Sequence, residues 1–411
     1  MNERTIPLKR VVVTGLGIKS AMGNSSAEVI DALKNSRSGI VVNEEYAELG
    51  FRSRVYAPVK LDIKEHIDRR TLRFMSKAAA FTYLAMRDAI EDAQLDEGLI
   101  SDPRTGLIVG TGGVSTEKMM EAVDTMRARG ARKVGPTFVP ASMTSGSSAN
   151  LSVAFGIKGY SYSISSACTT SLHCIGNAYE LIQMGKQDIM FAGGGEETHW
   201  VSTLMFDAMG ALSSRYNDNP AVASRPFDSA RDGFVVSEGG AIVVLEELQH
   251  ALDRGAPIYG EVVGYGASCD GGDMVKPNGT GAAQAMRMAL ADVDLPIDYL
   301  NAHATSTPAG DTVEISAATE VFGNAMPRIN STKALTGHAL GAAGAIEAIA
   351  SLLMLKENFI CASAHIDALD EALQDAPIAL ATEEDVRLNA VMSNSFGFGG
   401  ANGSLVFQRM T

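Results

Sequence analysis

The chain has 411 residues, 46% of them hydrophobic and 20% charged, a composition ordinary for a globular protein and ample for a large core. Its formal net charge of −14 argues against nucleic acid as the main partner. No apolar run approaches the roughly 18 residues that a membrane span needs, so no membrane protein is expected. The length suits two or three domains, or one large duplicated one. The opening residues, Met1-Asn2-Glu3-Arg4, lead into a strand at Val11–Thr14, so no secretory signal is expected. That strand runs into a glycine turn, Val13-Thr14-Gly15-Leu16-Gly17. A helical pattern covers Thr71–Ala93, and a basic cluster of Arg69, Arg70, Arg73 and Lys77 sits at its start. After the turn Val109–Gly113, a second helix is predicted over Thr116–Arg129. A second cluster, Arg127, Arg129, Arg132 and Lys133, lies at its end. One such cluster reads as a solvated face. Two on an acidic chain read together as a landing site for an acidic partner.

The strand-like stretch Tyr160–Ile164 is followed by a small-residue turn, Ser165-Ser166-Ala167, and then by Cys168. Leu172, Ile175, Tyr179 and Ile182 recur at helical spacing, predicting a helix over Cys168–Met184. A thiol in the first turn of a helix meets free backbone N–H groups and the positive end of the helix dipole, both of which favour a thiolate. The thiolate is the nucleophile of acyl transfer. A small buried core residue is the competing reading. The turn Ala192–Gly195 follows. Gly255-Ala256-Pro257 is the best candidate boundary, dividing the chain into 1–255 and 256–411. Beyond it come the turn Val263–Gly266, helical patterns at Gly281–Asp292, Asp311–Phe322 and Ala339–Leu355, and a last turn, Phe396-Gly397-Phe398-Gly399-Gly400. None of the glycine turns completes a dinucleotide fingerprint or a Walker A loop. The alternation of strands and helices predicts an α/β fold with mainly parallel or mixed sheets.

Two polar turns lie in the second half. Asn301-Ala302-His303-Ala304-Thr305-Ser306-Thr307-Pro308 closes a strand; Lys333-Ala334-Leu335-Thr336-Gly337-His338 leads into the small-residue helix. His66, His173, His199, His250 and His365 read as structural. His303 and His338 differ because each sits among hydroxyls and glycine at the end of an element. Neither has a second ligand at helical spacing, so no metal is expected. The four cysteines, 168, 174, 269 and 361, form no Cys-x-x-Cys pair and suit a reducing, cytoplasmic compartment. No Gly-x-Ser-x-Gly elbow is present, which disfavours a serine hydrolase. A cysteine, two histidines and a lysine suit thioester chemistry. The thiolate takes an acyl group, and imidazole N–H groups steady the charge that develops on a second thioester oxygen.

On Ser165-Ser166-Ala167-Cys168, Asn301-Ala302-His303, Thr305–Pro308, Lys333–His338, Gly341–Gly344 and Asn394–Gly400, the chain resembles the β-ketoacyl-[acyl-carrier-protein] synthases, the elongating condensing enzymes of fatty acid synthesis. Phe191–Glu197 and His173–Asn177 resemble the type I branch. The resemblance implies a thiolase-type layered αβαβα core made of two duplicated halves, assembled as a homodimer. It implies Cys168 as nucleophile, His303 and His338 acting on the malonyl thioester, and Lys333 supporting their charge and hydrogen bonds. The backbone N–H groups of Cys168 and Phe398 match the oxyanion hole. Phe398 matches the acyl gate, Thr305 and Thr307 the hydroxyls that hold the phosphopantetheine arm, and Glu347 a structural carboxylate; Phe396 is expected to bind substrate with them. The two basic clusters match the docking region for acyl carrier protein. No cofactor is implied, because the phosphopantetheine is carried by that partner. Ala304 stands where the family has Gly, and Ala401 where this branch has Thr. The implied reaction is a decarboxylating Claisen condensation. A polyketide-type condensing enzyme, a non-catalytic partner subunit and a thiolase acting on coenzyme A thioesters are the alternatives on the same fold.

Overall fold

The structure, a computed structural model, describes residues 7–410; the reading of Met1–Arg4 falls outside them. Ten strands form one mixed sheet. The first five are β1 (Val11–Lys19), β2 (Thr105–Gly110), β3 (Ser161–Tyr162), β4 (Ile189–Glu196) and β5 (Gly239–Glu247), in the order β3-β2-β4-β5-β1. The second five are β6 (Gly260–Cys269), β7 (Tyr299–Asn301), β8 (Arg328–Asn330), β9 (Ala390–Gly397) and β10 (Ala401–Gln408), in the order β8-β7-β9-β10-β6. Both sets follow one plan, third-second-fourth-fifth-first. In each, the first three strands of that order pair in parallel and the last two join antiparallel. The fold is therefore duplicated. The halves meet where β1 pairs with β6, through Val11–Val262, Val12–Glu261 and Val13–Gly260.

Helices make the other layers. On the outer face of the first half lie α1 (Lys77–Asp92) and, beyond α2 (Thr116–Arg129), α3 (Gly146–Phe155). Between the halves lie α4 (Thr170–Gln183) and α8 (Ala343–Glu357). They pack on each other and on strands of both halves. Two further helices, α6 (Thr280–Ala289) and α7 (Gly310–Phe322), cover the second half, while α5 (Trp200–Met209) follows β4. The layers run αβαβα. The small residues of α8 follow from its central place: a Cβ on Gly344 would lie 2.7 Å from the Leu172 side chain of α4.

Three helix starts differ from the periodic pattern by more than one residue or in kind, while α6 and α7 each start one residue early. The first helix begins at Lys77, not Thr71. Asp68 caps a separate turn over Arg69–Leu72, and Ser76 then caps α1 by accepting from the Ala79 N–H. The middle helix begins at Thr170, so Cys168 lies ahead of its first turn instead of inside it. The last pattern splits into a 3₁₀ turn, Leu340–Ala342, and then α8. By contrast, α2 spans the predicted Thr116–Arg129.

Candidate active site

Cys168 sits on the loop between β3 and α4, where Ala167 holds a left-handed φ of 52°. The loop is tied down from both sides. Thr170 Oγ1 accepts from the Ser166 N–H at 2.8 Å and donates to the Ala167 carbonyl at 2.8 Å. Thr169 Oγ1 donates to the Ala401 carbonyl, also at 2.8 Å. This last bond gives Ala401 its place in the site: its carbonyl anchors the residue after the nucleophile. A side chain cannot be added at Gly397 without meeting the Ser166 carbonyl at 3.0 Å and the Cys168 nitrogen at 3.1 Å. The glycine turn between β9 and β10 therefore closes directly on the cysteine.

His303 follows β7. Glu314 of α7 fixes its turn, accepting the backbone N–H groups of His303 at 2.9 Å and Ala304 at 2.7 Å, with Asn394 donating to it at 3.1 Å. Ser331 donates to the Ala304 carbonyl at 2.7 Å. The Ala304 methyl, buried beside Ala302 and Ile315, is accommodated. His338 precedes the Leu340–Ala342 turn, and its N–H donates to the Val235 carbonyl at 2.7 Å. The two imidazoles meet edge to face, centroids 5.2 Å apart, with Phe234 and Phe396 against them. The ligating atoms of Cys168, His303 and His338 lie within 4.8 Å of one another.

Burial sets the charge states. It lowers both imidazole pKa values well below the usual range, and the Lys333 ammonium lowers them further, so both rings are neutral near pH 7. Their Nδ1 atoms have no hydrogen-bond partner among the described residues. Lys333 is itself buried and ion-paired with Glu347 of α8. Burial pushes Glu347 up to about 7, with Lys333 opposing. Burial also pushes the Cys168 thiol up to about 12. Lys333 pulls it down, Glu196 pushes it further up, and the backbone N–H groups of Phe398 and Cys168 pull it down. The expected stabilised thiolate is thus corrected. The cysteine lies outside the helix, and desolvation outweighs the N–H groups aimed at its sulfur. The resting group is a thiol beside two neutral bases. A cysteine with two histidines is also a geometry that can ligate a metal, hidden in the sequence because the three come from distant segments. Lys333 opposes a second cation there.

A cavity of about 410 Å³ opens over these groups. Thr305, Thr307, Phe396 and Phe398 line it with Cys168, His303 and His338, so the residues expected to bind substrate face one space. The two threonine hydroxyls are 3.1 Å apart. Arg231 holds their turn from behind, donating to the Thr307 and Pro308 carbonyls at 3.0 and 2.8 Å. Lys333 and Glu347 lie beneath, outside the cavity lining.

The two basic clusters are elsewhere on the first half. Arg69, Arg70, Arg73, Arg127, Arg129, Arg132 and Lys133 are exposed. Lys77 is half-buried and engaged with Glu238 at 3.2 Å, so it is the least available of the eight. His173, His199, His250 and His365 are spent on structural contacts: with Ser166, the Val201 N–H, Glu246 and the Ser224 carbonyl. Sequence reasoning missed Glu314. Its signal was an acidic pair, Asp311 and Glu314, one helical turn apart directly after the Thr305–Pro308 turn.

The comparisons agree with this geometry. Residues 8–251 match the model of the beta-ketoacyl synthase N-terminal domain, and residues 259–367 that of the C-terminal domain. The chain is 54% identical to 3-oxoacyl-[acyl-carrier-protein] synthase 1 of Haemophilus influenzae, covering 98% of this chain and 99% of that one. A beta-ketoacyl synthase crystal structure from Burkholderia phymatum superposes with a TM-score of 0.92 at 36% identity, over 98% of this chain and 100% of that one. A type II polyketide ketosynthase, solved in complex with its acyl-carrier protein and bound to a hexaketide, superposes with a TM-score of 0.88 at 30% identity, over the same shares. With both halves matched and a cysteine and two histidines gathered at their seam, the chain belongs to the beta-ketoacyl synthase family.

Proposed function

We propose that this protein is a 3-oxoacyl-[acyl-carrier-protein] synthase that elongates fatty acyl chains by decarboxylating Claisen condensation. The observation that carries the reading is the convergence of the Cys168 thiol with two neutral imidazoles on one cavity. Full-length identity to a synthase of that name supports it.

In the first half-reaction Cys168 sulfur attacks the acyl thioester of a carrier protein. Its proton passes to the leaving pantetheine sulfur, with a neutral imidazole within reach as relay. The backbone N–H groups of Cys168 and Phe398 stabilise the oxyanion. In the second, malonyl-carrier protein enters past Thr305 and Thr307. The bond to its carboxylate breaks, CO₂ leaves, and the electron pair moves onto the thioester oxygen, which accepts hydrogen bonds from His303 and His338. The resulting carbanion attacks the acyl carbon. The bond to Cys168 breaks, the sulfur takes up a proton from solvent, and a chain two carbons longer leaves as its 3-oxoacyl thioester. Burial, helped by Lys333 held by Glu347, keeps both imidazoles unprotonated and therefore able to donate without carrying charge. No metal or dissociable cofactor takes part, because the pantetheine thiol belongs to the carrier.

Acyl carrier protein is the proposed partner, on the support of the ketosynthase solved with its own carrier. A homodimer is proposed through β3. This two-residue strand ends the sheet, with Tyr160, Tyr162 and Val153 exposed on or near it, and a second copy would continue the sheet. The unpaired cysteines suit a cytoplasmic location; among the described residues no helix is long and apolar enough to cross a membrane. We place the division between the halves at 255/256, after the last strand of the first repeat.

The test follows CO₂ release and acyl-enzyme mass side by side. Cys168→Ala should lose self-acylation and keep some CO₂ release from malonyl-carrier protein. His303→Ala should still take an acyl group, while its CO₂ release falls by roughly 10²–10³-fold. Normal CO₂ release with no acylation would make His303 the base for Cys168 and overturn the assigned roles.

A further inference from the structure

Glu196, the last residue of β4, is buried at the seam between the halves. One of its carboxylate oxygens, Oε2, accepts two backbone N–H groups at once: Gly112 of the first half at 3.1 Å and Gly341 of the second, also at 3.1 Å. The other oxygen faces the Glu197 N–H at 3.3 Å. The two glycine backbones are pressed together at this point. A Cβ on Gly341 would lie 2.3 Å from the Gly112 nitrogen, and one on Gly112 would lie 2.6 Å from Oε2 itself. Each partner leads to a reacting group. Gly341 is the middle residue of the Leu340–Ala342 turn, three residues after His338, and in that turn Leu340 is held at a left-handed φ of 44°. The Gly112 carbonyl accepts from Ser165 Oγ at 3.2 Å, three residues before Cys168. Neither half-reaction as described uses Glu196.

We infer that Glu196 is a positioning residue that sets His338 against Cys168 by stapling the turn of one half to the loop of the other. The arrangement needs the length of a glutamate, since one oxygen has to reach both N–H groups. Its charge has a separate effect, adding to the forces that keep the nearby thiol protonated. Length and charge can therefore be tested apart.

The inference rests on the condensing reading. Wild-type self-acylation and CO₂ release, run in parallel, report on that reading independently. Glu196→Asp is one methylene short and cannot span both N–H groups. Its kcat for condensation should fall by up to about 10²-fold, the scale of a misplacement near 1 Å. KM for malonyl-carrier protein should stay close to wild type, and the melting temperature should fall by no more than one unpaired buried N–H costs. Glu196→Gln keeps the reach and should recover most of that loss. Gly341→Ala pries the same seam apart from the other side and should reproduce the aspartate defect; it carries the test if Glu196→Asp does not fold. Full kcat in Glu196→Asp or Gly341→Ala would overturn the inference. So would a glutamine variant as impaired as the aspartate, because reach without the charge would then fail to position His338.

Discussion

Cys168 is held between opposing influences, and burial outweighs the Lys333 ammonium and the two backbone N–H groups beside it. Reactivity toward a small alkylating agent therefore follows exposure, not catalytic role. At pH 7.5 iodoacetamide should label exposed Cys269 first, Cys168 more slowly, and buried Cys174 and Cys361 last, while loss of activity should track the mass gain at Cys168 alone. The Cys168 rate should keep climbing above pH 9 toward about 12. A plateau below pH 9 would mean that Lys333 stabilises a thiolate after all. The cysteine's place before a helix was legible in the sequence, but its proton affinity was not: that depends on Lys333, Glu196 and Phe398, which are remote along the chain. The imidazoles give a second test. Their pKa values are lowered in the fold, so their contribution is complete above the unfolded value near 6.5. It is lost as pH falls below that, because the unfolded chain takes up protons that the folded one refuses. The slope is at most about 1.4 kcal/mol per pH unit for each ring. Buried carboxyls act in the opposite sense, Glu197 and Glu314 among them, both raised by burial. Glu196 and Glu347 are raised to about 7 and Asp311 to about 6, so they add stability as pH falls through those values. The difference between variants is the clean readout. Between pH 7.5 and 5.5, His303→Asn should lose less stability than wild type in urea titrations, by about 1 kcal/mol. Equal losses would mean that His303 is protonated in the folded state.

The elements that carry the site end in turns held by buried carboxylates. Glu314 is the clearest: one side chain on α7 satisfies two backbone N–H groups next to His303 and the Asn394 amide. Glu314→Ala would leave these donors buried without partners, at a cost of about 2–4 kcal/mol, and would slow CO₂ release more than self-acylation. Glu314→Gln should retain part of both. A stability loss under about 0.5 kcal/mol would show that the turn holds its own shape. Helical spacing found α2 to the residue and α7 to within one, because their apolar faces recur without interruption. It misplaced the start of α1 because Thr71–Phe74 continues the apolar spacing, while the caps Asp68 and Ser76 divide the segment in two. Caps compete with periodicity on equal terms at a helix start, and here the cap prevailed. The left-handed Ala167 and Leu340, which set off the nucleophile loop and the turn after His338, left no sequence signal, since neither residue type favours that conformation.

At the scale of the whole molecule, the site exists only because the halves are joined. Cys168 comes from the first, and His303, Lys333, His338 and Phe398 come from the second. Strand–glycine turns recur on both sides of Gly255. The shared strand order did not show, because it depends on pairings such as Val11 with Val262 that no local pattern encodes. The small-residue composition of α8 was legible for the opposite reason: a helix packed on both sides leaves a local mark. The same scale decides how an enzyme of net charge −14 would receive an acidic carrier protein. Mean charge repels such a partner, so docking depends on local cations left free of internal partners. Arg69, Arg70 and Arg73 meet that condition. They are exposed, none has an ion pair among the described residues, and Arg73 lies over the Phe74 ring with its charge unspent. Lys77 is engaged with Glu238, and Arg127 stands 4.0 Å from Asp124. Arg129, Arg132 and Lys133 meet the condition as well, so each cluster offers three exposed cations without an ion pair among the described residues. Arg69→Glu with Arg73→Glu should raise KM for malonyl-carrier protein by roughly 10-fold at low salt with little change in kcat. Added salt should raise the wild-type KM toward that of the variant, because screening removes the attraction that the variant already lacks. Arg127→Glu with Arg129→Glu should have the smaller effect, because Arg127 already faces Asp124. An unchanged KM in the first variant at low ionic strength would show that these arginines are only a solvated face and that the carrier docks elsewhere.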